Sequence, residues 1–160
     1  MDPLKRPNEA KEWLEISPQD ENRQEAALRI LNAFDTNSSM LDLSGLRLRS
    51  LPEAIKHLKH IEHLHVNNNQ LMDDEGMSQY ALPDSIGDLP RLKVLSLQNN
   101  KLWRLPDSIC KLTRLAELDV QKNKLTSLPQ YIDRMTNLED LNASHNLLRT
   151  LPNSIGHLEL

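Results

Sequence analysis

Asn100, Asn123 and Asn146 are separated by 23 residues each, and an interval of this length restricts the chain to stacked copies of one short unit. The unit around the first of them reads Leu92-x-x-Leu95-x-Leu97-x-x-Asn100-x-Leu102, followed by Leu105-Pro106 and Ile109. It recurs as Leu115, Leu118, Val120, Asn123, Leu125, Leu128-Pro129 and Ile132, and again as Leu138, Leu141, Ala143, Asn146, Leu148, Leu151-Pro152 and Ile155. Upstream, Ile61, Leu64, Val66, Asn69 and Leu71 form the same block, and Leu41, Leu43, Leu46 and Leu48 begin the series with Leu46 in the asparagine slot.

The segment L-x-x-L-x-L is too short for a helix and ends in period-two alternation, which predicts a short strand with its leucines turned inward. No repeat can bury those leucines alone, so copies stacked in parallel register bury them against each other and form a curved solenoid. The 31 leucines and only five aromatic side chains among 160 residues suit such a uniform core. Asn69, Asn100, Asn123 and Asn146 are expected to form a ladder, since a side-chain amide both donates and accepts where the chain turns after each strand. Asn68 and Asn99 are placed pointing outward, with no such duty. The Leu-Pro pair followed by three or four residues, as in Asp107-Ser108-Ile109, predicts single helical or 3₁₀ turns on the convex side.

The expected domain organisation is an N-terminal helical cap over residues 1–37 and five repeats over 38–160. Asn8 suits the start of a first helix running through Ile16, and Ser17-Pro18 suits the start of a second. In that second helix Ala27, Leu28, Leu31 and Phe34 are spaced to lay an apolar stripe on the first repeat, with Trp13 beside it. The sequence stops at Leu160 where another strand would begin, with no C-terminal cap, so this is either the front of a longer protein or a stub that covers its edge by association. Weak self-association and fast hydrogen exchange over 138–160 are the corresponding expectations.

These repeats resemble the leucine-rich repeat family in the 23-residue form found in many bacterial and plant intracellular members, and the resemblance covers residues 38–160. The implied fold is an α/β solenoid with a curved parallel sheet on the concave face and an irregular convex side. Trp13, Asn22-Arg23, Ala26 and Arg29-Ile30-Leu31, leading into the repeat from Leu41 to Leu51-Pro52, are similar to the helical cap of bacterial type III secreted effectors. In that family the repeats precede a novel-type E3 ubiquitin ligase domain, whose catalytic cysteine would lie beyond Leu160. The resemblance implies a non-enzymatic module that recognises a target protein, delivered from a bacterium into a host-cell cytoplasm by a route without a signal peptide. The alternatives are the front part of a ubiquitin ligase and a self-associating structural repeat protein.

Composition and motifs agree in what they exclude. The four glycines are widely separated and form no phosphate-cradling loop. Cys110 occupies a slot held elsewhere by Lys56, Gly87, Asp133 and Gly156, so a nucleophile is not expected there, and as the lone cysteine it favours a reducing, cytoplasmic setting. Residues 1–10 lack a signal-peptide pattern, and no apolar run approaches a membrane span. A net charge of -4 and a pI of about 5.8 lack the basic footprint of a nucleic-acid binder. His63 and His65 share one strand face with Asp42 beside them, but His57 and His60 fall elsewhere, so no metal and no cofactor are assigned.

The outward strand positions carry six acids (Asp42, Glu62, Glu117, Asp119, Glu139, Asp140) against Lys93 and Lys122. This face is either a solvated sheet surface or a recognition surface for a basic or polar protein patch. The period breaks once: 31 residues separate Asn69 from Asn100, and the eight extra fall within 72–81. Such an insertion fits a contact loop or a neutral addition, since surface loops accept length cheaply. If it is a contact loop, it rises beside His63, His65 and Asn67. The candidate protein-binding residues are therefore Asp42, His63, His65, Asn67, Ser96, Gln98, Asp119 and Gln121 on the concave face, with Asp73, Asp74, Glu75 and Tyr80 on the insertion.

Overall fold

Each repeat places one three-residue strand on the concave side: β1 (Met40–Asp42), β2 (His63–His65), β3 (Val94–Ser96), β4 (Glu117–Asp119) and β5 (Asp140–Asn142). The computed structural model describes residues 22–72 and 81–158. The five strands form one parallel sheet in sequence order, with Leu41, Leu64, Leu95, Leu118 and Leu141 in register through its centre. Side chains alternate across a strand, so the central leucine of each faces the core while its two neighbours face the concave side. Beyond the strands, Leu43, Val66, Leu97 and Val120 are fully buried, as are Ile55, Ile86, Ile109 and Ile132 from the convex side.

The convex side consists of 3₁₀ turns at Glu53–His57, Asp84–Asp88, Asp107–Lys111, Ile132–Arg134 and Asn153–His157. Pro52, Pro83, Pro106 and Pro152 sit immediately before four of these turns in extended backbone, where a fixed φ and a missing N–H cost nothing. Two turns approach so closely that a Cβ on Gly87 would lie 2.2 Å from the carbonyl oxygen of Ser108. Glycine is required there, although the same slot holds Lys56, Cys110 and Asp133 in other repeats.

The asparagine ladder is present in full. The Asn69 Oδ1 accepts from the backbone N–H groups of Leu46 and Leu48 at 3.0 and 3.1 Å, and its Nδ2 donates to the carbonyls of Leu43 and Val66. Asn100, Asn123 and Asn146 repeat the pattern, each reaching back into the preceding repeat. In the first repeat Leu46 takes the slot that asparagine holds in the others. An apolar side chain, 6% exposed, fills the slot.

That helix, α1 (Arg23–Thr36), covers the N-terminal edge and ends at Asn37 in left-handed conformation. Its buried face is Arg23, Ala26, Ala27, Ile30 and Ala33; of the expected stripe, Ala27 is buried and Phe34 packs partly against the core, whereas Ala26, Ile30 and Ala33 were not in it. Leu28 is 63% exposed, while Leu31 and Phe34 are half-buried. The contact face is rotated because small alanines let the helix backbone approach the first repeat. Arg29 donates from Nη1 to the Asp42 carbonyl at 3.0 Å, and the His60 ring Nε2 lies 3.0 Å from the Ala33 carbonyl, fastening both ends of the contact. This helix begins at Arg23 after the non-helical Asn22, not at the expected Ser17-Pro18; the expected first helix from Asn8 to Ile16 and Trp13 lie outside the described residues.

In the fifth repeat the same columns open: Leu141, Ala143, Leu148, Ile155 and Leu158 are only partly buried, and Leu147 and Leu151 are 60% and 57% exposed. A repeat's core is completed by the repeat that follows it.

Candidate recognition surface

The strand register sorts the outward side chains into columns. Met40, His63, Val94, Glu117 and Asp140 form one; Asp42, His65, Ser96, Asp119 and Asn142 form the next. Two residues further along lies a third, made of Ser44, Asn67, Gln98, Gln121 and Ser144. The concave residues expected from the sequence therefore fall in adjacent columns of one rigid sheet. His63 and His65 lie side by side on β2 with tilted rings whose centroids are 6.5 Å apart. Asp73, Asp74, Glu75 and Tyr80 lie outside the described residues. The chain leaves the described solenoid at Met72 and re-enters at Ala81, with Met72 N–H bonded to Arg49 and the Ala81 carbonyl accepting from Leu51. This exit lies on the flank past the Asn69 turn, seven residues beyond His65 at the end of β2.

Several of these polar side chains hold the backbone in place. Asp42, Asp119 and Asn142 accept from the N–H two residues ahead, on Ser44, Gln121 and Ser144, at 2.8, 2.9 and 3.2 Å. Where the strand instead ends in His65 or Ser96, the corresponding N–H is served from the neighbouring repeat. Asn67 N–H donates to Ser44 Oγ and Gln98 N–H to Asn67 Oδ1. Every repeat thus satisfies this N–H with a side-chain oxygen, so these columns do not vary freely without consequence. Sequence spacing concealed this second ladder because its acceptors are local in the first, fourth and fifth repeats and come from the neighbouring repeat in the second and third.

Electrostatics favour charge on this face. Burial alone would work against the Asp42 carboxylate, but hydrogen bonds from the Ser44 hydroxyl and backbone, with the charges of His65 and Arg29, hold it below the ordinary range. The Lys93 ammonium, 2.7 Å from Glu62, keeps that carboxyl low as well. A hollow of about 440 Å³ lies over repeats three to five, lined by Ser96, Glu117, Asp119, Asp140 and Asn142 with the strand leucines beneath. Ser96 and Asp119 were among the expected site residues; Gln98 and Gln121 lie one column away. Glu117 and Asp140 join the site because they stand one column from Asp119, a placement the L-x-x-L-x-L register already contained.

Cys110 is buried, and burial with the nearby Asp107 pushes its thiol up to about 11, which leaves little thiolate at neutral pH. Among the described residues no group of three or more histidine, cysteine or acidic side chains is placed to hold a metal, and no helix is long and apolar enough to cross a membrane.

Comparisons with known proteins agree with this geometry. The profile for a leucine-rich repeat region matches residues 75–160. No curated protein sequence matches the chain. Among solved structures, the leucine-rich repeat domain of a Shigella effector is 28% identical with a TM-score of 0.65, covering 91% of this chain and 66% of that one. YopM from Yersinia enterocolitica is 29% identical with a TM-score of 0.61, covering 91% of this chain and 34% of that one. A chain of the BIR3–SERK2 complex from Arabidopsis thaliana is 28% identical with a TM-score of 0.60, covering 72% and 60%. This chain thus spans between a third and two thirds of each of those structures. With five parallel strands in repeat register, a continuous asparagine ladder and a profile match over more than half its length, the chain belongs to the leucine-rich repeat family.

Proposed function

We propose that this chain is a non-enzymatic recognition module that binds a protein partner through the concave face, with Asp42, His63, His65 and Asn67 at one end and Ser96, Gln98, Asp119 and Gln121 at the other. The observation that carries the reading is the acidic hollow of Glu117, Asp119 and Asp140 on a sheet whose backbone is held by two side-chain ladders. A rigid surface keeps its charges in place before binding, so complementarity is not lost to ordering. The partner presents a basic or polar patch. The insertion residues Asp73, Asp74, Glu75 and Tyr80 extend this surface if the segment reaches it.

Similarity to YopM and to the Shigella effector domain over 91% of this chain supports a bacterial effector role, with this part choosing the target. A ubiquitin ligase reading adds a catalytic domain outside residues 1–160 and leaves the target-choosing role unchanged. The partly exposed core columns of the fifth repeat support weak self-association at that edge.

A fluorescent lysine-rich peptide titrated into the chain tests the reading. Saturable binding that weakens with salt and with Glu117→Lys plus Asp140→Lys, but not with the convex changes Lys111→Glu and Arg134→Glu, is the expected result. Binding indifferent to the concave reversals overturns it.

A further inference from the structure

The concave face is acidic, and the flank beside it carries the opposite sign. Just past the strands of repeats three to five, Lys101, Lys122, Lys124 and Arg149 are all exposed. Lys101 and Lys124 occupy the same position of successive repeats, directly after the ladder residues Asn100 and Asn123, where no opposite charge separates them in the column. Among these cations stands Trp103, 42% exposed, with Met72 in the same position of the preceding repeat, 39% exposed. A groove of about 460 Å³ begins at the next residue and crosses repeats three to five, with Leu105, Pro106, Leu128 and Pro129 in its lining.

Backbone conformation sets where Lys122 stands in its repeat. The position just before the ladder asparagine is left-handed in all five repeats: Gly45, Asn68, Asn99, Lys122 and His145 have φ of 71, 56, 55, 53 and 54°. The first three repeats use the residue types that tolerate this conformation. The fourth uses lysine and the fifth histidine at the same recurrent backbone position. Lys122 thus adds an exposed cation two residues before Lys124.

We propose that this flank is a second interaction surface, and that its occupant is an acidic peptide segment of a partner protein carrying an aromatic or aliphatic side chain. The acids lie against Lys101, Lys122 and Lys124, and the apolar side chain lies against Trp103 and the Leu-Pro groove. Asp119 stands on strand β4 beside the strip and Asp107 is in the groove lining, so carboxylates flank the cations. A longer or broader polyanion, such as a nucleic acid or an anionic membrane, meets those carboxylates and the net charge of -4. A protein with surfaces of opposite sign a few residues apart shows neither in its net charge.

The test uses the full chain with Trp13→Phe, which leaves Trp103 as the only tryptophan, and a fluorescein-labelled peptide of four glutamates around one phenylalanine. Saturable binding is expected, with a blue shift of unlabelled-peptide-bound Trp103 emission and loss of affinity as salt rises. Lys101→Glu with Lys124→Glu should weaken binding about tenfold or more; Lys101→Gln with Lys124→Gln should fall between. Glu117→Lys with Asp140→Lys should not weaken it, which separates this surface from the concave one. Unchanged circular dichroism shows that the variants fold. Absence of saturation, indifference to the lysine changes, or tighter binding of a single-stranded oligonucleotide or phosphatidylserine vesicles than of the peptide overturns the proposal.

Discussion

Asn99 donates from Nδ2 to the Oδ1 of Asn68 at 2.9 Å, and both residues hold left-handed backbone with φ of 55 and 56°. Their outward side chains therefore form a short exposed ladder, and their backbones occupy a conformation that alanine disfavours. Asn68→Ala and Asn99→Ala, nearly neutral if exposure alone mattered, should each cost about 1 kcal/mol. Lys122→Asn should instead stabilise by roughly 0.5 kcal/mol, since asparagine tolerates this backbone better. Urea denaturation midpoints of the three variants measure both effects.

The buried ladder should weigh more. Asn100→Ala and Asn123→Ala should each cost on the order of 1–3 kcal/mol, because the amide of each is the partner of buried backbone groups in two repeats. Asn146→Ala should cost less, its position being half-buried. Equal losses at all three positions in chemical denaturation would contradict the burial argument.

Two glycines in equivalent turns should respond in opposite ways. Gly87→Ala places a Cβ against Ser108 backbone and should destabilise by roughly 1–3 kcal/mol. Gly156→Ala meets nothing within 4 Å and should be neutral or slightly stabilising. Thermal unfolding of the pair isolates the close approach between the second and third convex turns of the solenoid, since the substitution is the same.

Acid sensitivity follows from Asp42. Its carboxyl titrates below the ordinary value of 3.8 in the folded chain, so its contribution is fully present above that pH and is lost as pH falls through the lower folded value. Asp42→Asn, which keeps an oxygen for the Ser44 N–H, should flatten the acid limb of a stability profile between pH 5 and 2. An unchanged acid limb would show that the Ser44, His65 and Arg29 interactions do not favour the charged form.

Hydrogen exchange should be slowest in the repeats around β2, β3 and β4 and fastest across 138–158, where Leu141, Leu148 and Ile155 are only partly buried. Rising protein concentration should protect the same segment if the edge associates. Uniform protection to residue 158 in a dilute monomer would contradict the open columns.

Much of this structure is written in local spacing. The 23-residue interval sets the strand positions, the sheet order, the asparagine ladder and the 3₁₀ turns, because each repeat contacts only its neighbours and one unit's pattern dictates the next. The concave columns of the candidate surface were legible for the same reason. Tertiary structure decided what depends on distance between units. Rotation of α1 onto its alanines was set by how closely a helix can approach the first repeat. The need for Gly87 came from two turns meeting at Ser108, and the Asn67–Gln98 rung from a neighbour's backbone. The basic flank was hidden most completely: lysines 21 to 23 residues apart become adjacent only when repeats stack, and the acids of the concave face cancel them in any sum taken along the chain.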